Sequence, residues 1–150
     1  MKNIQKLLVM CKEYDLTGKE ILENYTIGEL EKIYNGAGPD SWIPLARDIL
    51  TAMMDLFAPL ILIHDVQFFE SDGSESGFQK TVNDWKINSD KIFRADYPLC
   101  TWKILSASYR RKRLYWLGVK TASDLAIQTP SARTAWQSAH QKNQTERSPK

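Results

Sequence analysis

Ala58-Pro59-Leu60-Ile61-Leu62-Ile63-His64-Asp65 is the stretch on which the fold turns. An unbroken apolar run ends in an imidazole and a carboxylate. Pro59 fits the start of a helix, where its missing N–H costs nothing. The pattern predicts a buried helix from Pro59 to about Phe69. A histidine and an aspartate at the end of such a helix are expensive to bury without partners. Upstream lies Tyr34-Asn35-Gly36-Ala37-Gly38-Pro39, a glycine-rich segment that breaks helices.

Further helices follow on either side. Thr26-Ile27-Gly28-Glu29 has the form of a capping box, with Ile27, Leu30 and Ile33 on one face of the helix it opens. Thr17-Gly18-Lys19-Glu20 and Ser76-Gly77-Phe78-Gln79 have the same form. After Pro44, Leu45, Ile49, Leu50, Met53 and Phe57 recur at helical spacing. Phe78, Val82, Trp85 and Ile92 point one way on a helix from Phe78 to about Phe93. Pro98 is expected to begin the next, with Trp102, Leu105, Tyr109 and Trp116 on one face and a stop at Gly118. A short helix is expected from Ser123 to Gln128. No alternating strand pattern and no internal repeat is seen. The expectation is a mainly α protein, one domain over residues 1–136 with a disordered polar tail over 137–150.

Composition agrees with a folded chain. Its 150 residues are 43% hydrophobic with five tryptophans, and the mean hydropathy is −0.42. The apolar stretch Met53 to Ile63 carries Asp55 and Pro59 and is too short to span a bilayer. The N-terminal apolar run is too short for a signal peptide, so a cytoplasmic location is expected. Cys11 and Cys100 match no metal-ligand spacing and read as reduced, buried thiols. Charge is unevenly spread. Residues 1–75 hold 6 basic and 13 acidic groups, residues 76–150 hold 14 and 5. The basic excess centres on Arg110-Arg111-Lys112-Arg113. Such a cluster attracts phosphate groups of lipid or nucleic acid, or forms a solvated helix face.

Neighbouring helical residues point about 100° apart, so His64 and Asp65 face different tasks. This suits a site where the carboxylate holds a cation and the imidazole acts on water. Calcium takes about six to eight oxygens, often backbone carbonyls with one or two carboxylates. Tyr34, Gly36 and Gly38 are spaced to turn successive carbonyls toward one point. The plainer readings are a hydrogen-bonded structural histidine, a capping or ion-paired Asp65, and a simple turn at Gly36 and Gly38.

These residues resemble the phospholipase A2 fold. Tyr34-x-Gly36-x-Gly38 is similar to that family's calcium loop, and His64-Asp65-Val66-Gln67-Phe68 to its His-Asp-x-x-Tyr helix motif. The chain looks like small cysteine-poor members found in bacterial and phage genomes. The resemblance covers roughly residues 26–93. It implies a phospholipase A2-like helical core with a Gly-rich loop. It implies Ca2+ bound by the carbonyls of Tyr34, Gly36 and Gly38 and the carboxylate of Asp65. His64 would be the general base, oriented by a residue of the second helix, for which Asn83 stands closest to the family's aspartate.

The sequence departs from the pattern at Asn83, a neutral amide with Asp84 one residue on. It departs again at Phe68, which lacks the motif's hydroxyl, and in having no disulfide framework. Two functions follow as expectations. One is a calcium-dependent phospholipase A2-type lipid ester hydrolase with impaired turnover, acting at a phospholipid or membrane surface. The other is a catalytically silent phospholipase-like interaction or structural module of a phage or other mobile element, with a protein partner. Nucleic-acid binding through Arg110–Arg113 is the weaker third reading. Two histidines, one of them His140 in the polar tail, leave no ligand set for a histidine-rich metal phosphohydrolase.

Overall fold

The computed structural model describes residues 3–34, 56–99 and 101–147. Helix α1 (Ile4–Glu13) starts where the Asn3 side chain accepts from the Lys6 amide, and it buries Ile4, Leu7 and Cys11. A 3₁₀ turn (Lys19–Asn24) leads to α2 (Ile27–Ile33). The Thr26–Glu29 capping box is present in full. Helix α3 (Ala58–Phe69) has Pro59 in its first turn, as expected. Helix α4 (Glu75–Asp96) is capped by Ser74, whose hydroxyl accepts from Gly77 N. A second 3₁₀ turn (Trp102–Leu105) precedes α5 (Ala107–Ala126), and α6 (Pro130–Arg147) follows. Among the described residues there is no strand, and the protein is mainly α.

Helix α3 is the hub. Residues Pro59 to Ile63, Val66 and Gln67 are all buried, so its apolar residues form a continuous run instead of a stripe. It packs against α1, α2, α4, α6 and the first 3₁₀ turn. Around it lies the main core, which includes Leu16, Leu30, Phe57, Trp85, Ile92 and Trp116. A smaller cluster joins Phe78, Val82 and Trp136, with Phe68 against it.

Several local expectations are corrected. The first 3₁₀ turn has Gly18 at its N-cap with φ +81°, and no side chain caps it. The expected Thr17 capping box does not form, because Thr17 is held elsewhere: its amide donates to Asn88 Oδ1 at 2.7 Å. Ser74, not Ser76, caps α4. Gly118 lies inside α5, which runs on through the expected short helix at 123–128. The 137–150 stretch read as a tail is helical through Arg147. Trp136 is buried and its indole N–H donates to Ser74 O at 3.1 Å. Ser71 Oγ donates to Trp136 O at 2.8 Å, and His140 Nδ1 donates to Ser71 O at 2.8 Å. A Cβ at Gly73 (φ +70°) would meet the His140 ring at 2.8 Å, so the turn after α3 must be glycine for α6 to approach. Cys11 is free and buried; burial pushes its thiol up to about 12. The expected helix after Pro44, the Gly36–Gly38 loop and Cys100 lie outside the described residues.

Candidate functional site

His64 sits in the third turn of α3, its side chain about one-fifth exposed. Its ring lies 4.4 Å from that of Phe68 and meets Trp85 edge-on at 4.9 Å. Phe68 thus fills the place of the motif's tyrosine with a stacking partner that offers no hydrogen bond. The His64 Nδ1 to Asp65 Oδ1 distance is 3.9 Å, too long for a hydrogen bond. The two groups nevertheless stand within ion-pair range, closer than the one-residue spacing on a helix suggests.

The second helix does not bring Asn83 to His64. The buried face of α4 carries Phe78, Thr81, Val82, Trp85, Asn88, Ser89 and Ile92, and Asn83 lies half a turn away on the exposed side. The expected contact between His64 and Asn83 is therefore corrected: the packed aromatic face sets the helix rotation, and that rotation turns residue 83 outward. Asp84 is buried but is engaged elsewhere. Its Oδ2 accepts from Gln67 Nε2 at 2.8 Å and from Lys80 Nζ at 2.7 Å. Gln67 is one turn past His64 on α3, so the carboxylate of α4 meets the amide and not the imidazole. Burial of Asp84 is offset by these two bonds, one of them charge-assisted.

The other half of the expected site is partly visible. Tyr34, the last residue before the glycine loop, is buried. Burial, and then the nearby charge of Asp65, push its phenol up to about 12. The end of α2 thus lies within electrostatic reach of Asp65. Gly36 and Gly38, the other two donors expected for calcium, lie outside the described residues. Among the described residues no group of three or more His, Cys, Asp or Glu side chains could hold a metal ion. A calcium site here would depend on Asp65 and backbone carbonyls. Beside His64, the buried indole N–H of Trp85 has no hydrogen-bond partner among the described residues, a state uncommon in proteins.

Two features escaped the sequence. One is the polar seam between α3 and α4, where Gln67, Asp84 and Lys80 continue into Asn88, which binds both the amide and the carbonyl of Thr17. The Lys80–Asp84 spacing of four was its only trace. The other is the fate of the aromatic set. Trp116 is buried and Tyr109 partly so, but Trp102 is 89% exposed. The expectation of one shared face fails because Ser106 caps a new helix, which breaks the register between residues 102 and 109. No helix of the described residues is long and apolar enough to cross a membrane.

No family model, no curated protein and no solved structure matches the chain.

Proposed function

We propose that the chain is a helical interaction module without turnover, of the phospholipase-like kind expected of a phage or other mobile element. One observation carries this reading. The residues that would have to complete a histidine-centred hydrolase are turned to other tasks: Asn83 faces solvent, and Asp84 is bound by Gln67 and Lys80. With the nearest carboxylate, Asp65, at 3.9 Å from Nδ1 and so beyond hydrogen-bond reach of the ring, a histidine base loses up to about 10⁴ in turnover. His64 instead completes an aromatic cluster with Phe68 and Trp85. The working surface is then the aromatic and basic second half of the chain.

A calcium-dependent lipid ester hydrolase is the second reading, and the closeness of Tyr34 to Asp65 favours it. In that reading Tyr34, Gly36, Gly38 and Asp65 would hold the ion, which when bound supplies polarisation of an ester carbonyl. His64 would take the proton of the attacking water.

The two readings separate in one experiment. Fatty-acid release from phospholipid vesicles is followed with millimolar calcium for wild type and His64→Ala, alongside calcium titration by calorimetry. The module reading expects no release that depends on His64. Calcium-dependent release abolished by His64→Ala would overturn it. Calcium binding lost in Asp65→Asn, without release, would leave a silent phospholipase-like site inside the module.

A further inference from the structure

We propose that the surface made by the second 3₁₀ turn and the first turns of α5 docks on an anionic lipid bilayer. This names the ligand of the interaction module and rests on that reading. From Tyr97 to Ser123 the chain has six lysines and arginines and not one aspartate or glutamate. Two of the six are held by charged or aromatic side chains of the fold. Arg113 lies 5.0 Å over the Phe93 ring and donates to Tyr97 O, and Lys120 pairs with Asp124 and Asp90. The other four, Lys103, Arg110, Arg111 and Lys112, are exposed and form no ion pair among the described residues.

The same segment displays Leu99, Trp102 and Leu105 at 61%, 89% and 70% exposure. They are held there firmly. Arg110 Nη1 donates to Ile104 O at 3.0 Å and Leu105 O at 3.1 Å, and Tyr109 donates to Pro98 O at 2.9 Å. Pro98, Ile104 and Leu105 are thereby tied to α5, and the three exposed apolar side chains flank the cations along this segment as one platform. Keeping a tryptophan in water is unfavourable, and nothing in the fold requires it here.

The choice of partner follows from charge and shape. A second copy meeting this platform with its own would set Lys103, Arg110 and Arg111 against their counterparts with no carboxylate between. A nucleic acid would satisfy the cations but leave Leu99 and Leu105 in water. A bilayer with anionic headgroups satisfies both sets. Leucine and tryptophan enter the boundary between headgroups and acyl chains while lysine and arginine stay with the phosphates. A fluid interface also needs no pocket matched to a projecting indole.

The test uses vesicles of diether phosphatidylcholine, with or without an equal share of diether phosphatidylglycerol. The linkages cannot be hydrolysed, and EDTA is present throughout. Co-sedimentation should show binding to the anionic vesicles in about 50 mM salt, falling steeply by about 500 mM as the headgroup attraction is screened. Trp102→Ala should weaken it at least about fivefold, and Lys103→Glu with Arg111→Glu at least about twentyfold, each cation near the surface being worth roughly fivefold. Circular dichroism and thermal melting of these exposed-site variants should match wild type. No binding at low salt, equal binding to the uncharged vesicles, or full binding by the variants would overturn the proposal. So would tighter binding of a DNA duplex through the same residues, or displacement by inorganic phosphate beyond the effect of ionic strength. Hydrolysis of ester-linked vesicles, measured in parallel with calcium, would strike the module reading while leaving the docking result to stand or fall on its own.

Discussion

Along the seam between α3 and α4, Asp84 is met by Gln67 and Lys80, and Asn88 by both polar groups of the Thr17 backbone. On the platform of α5, Lys103 and Arg111 meet no carboxylate among the described residues, and Trp102 meets water. Gln67, Asp84 and Asn88 are buried, so their polar groups must find bonds inside the protein, whereas Lys80 reaches Asp84 from the exposed side. The platform is under no such demand. Its cations are solvated, and the cost of its exposed apolar residues is small enough for a stable core to carry. The chemical composition of a region therefore says less about its role than whether its groups are satisfied. His64, the residue that first draws the eye, is held by ring contacts with Phe68 and Trp85.

The sharpest way to break this comparison is at Asn88, which is fully buried and pairs with Thr17 through both ends of its amide. Asn88→Ala opens a fully buried position and leaves the half-buried Thr17 N–H and carbonyl without their partner. It should lower unfolding free energy by about 2–4 kcal/mol, measured by urea denaturation. A loss under about 0.5 kcal/mol would mean that water replaces the amide and that the seam is not sealed.

Alkaline pH probes the same contrast more gently. Burial pushes the Cys11 thiol from 9.0 up to about 12. The folded state holds this proton more tightly than the unfolded one. The stabilisation is therefore complete below about pH 9 and is lost as pH rises toward about 12. By pH 10 the thiol alone should remove about 1 kcal/mol of stability. Urea titrations at pH 8 and pH 10 check this, and the pH-dependent part should shrink in Cys11→Ala. On the platform the expected effect is smallest. Trp102→Ala should change unfolding free energy by less than about 0.5 kcal/mol, because an exposed indole has little burial to lose. A larger loss would place Trp102 within the core and end its contrast with the seam.

Much of the helical framework is legible in the residues. Thr26 and Glu29 announce α2 because a capping box needs only local geometry. Pro59 marks the start of α3 for the same reason. What local rules miss is decided by distant partners. Thr17 could cap the turn that follows it, but Asn88, 71 residues along, takes its backbone first. Gly118 could end a helix, but α5 continues to contacts of Val119 and Ser123 with the rest of the fold. Residues beyond Gln137 look too polar to fold. One buried tryptophan and the His140–Ser71 bond are enough to hold that helix in place. Of the candidate site, the placing of His64 and Asp65 on a buried helix is legible in the residues, and Gly36 and Gly38 lie outside the described residues. The rotation of α4 that turns Asn83 outward is set by Trp85, Asn88 and Ile92 packing together.

The clasp of α6 over the α3–α4 turn has a consequence for how the molecule is made. Phe78 leaves the ribosome early, and Trp136, the residue that covers it, arrives roughly 60 residues later, a wait of about 3–12 s at ordinary rates of synthesis. During that interval the hub helix can already collect α1, α2 and α4, but one end of it keeps Phe68 and Phe78 uncovered. The nascent chain thus keeps an adhesive spot at this end of the hub after Trp116 has emerged to cover Phe57 in the main core, until α6 arrives.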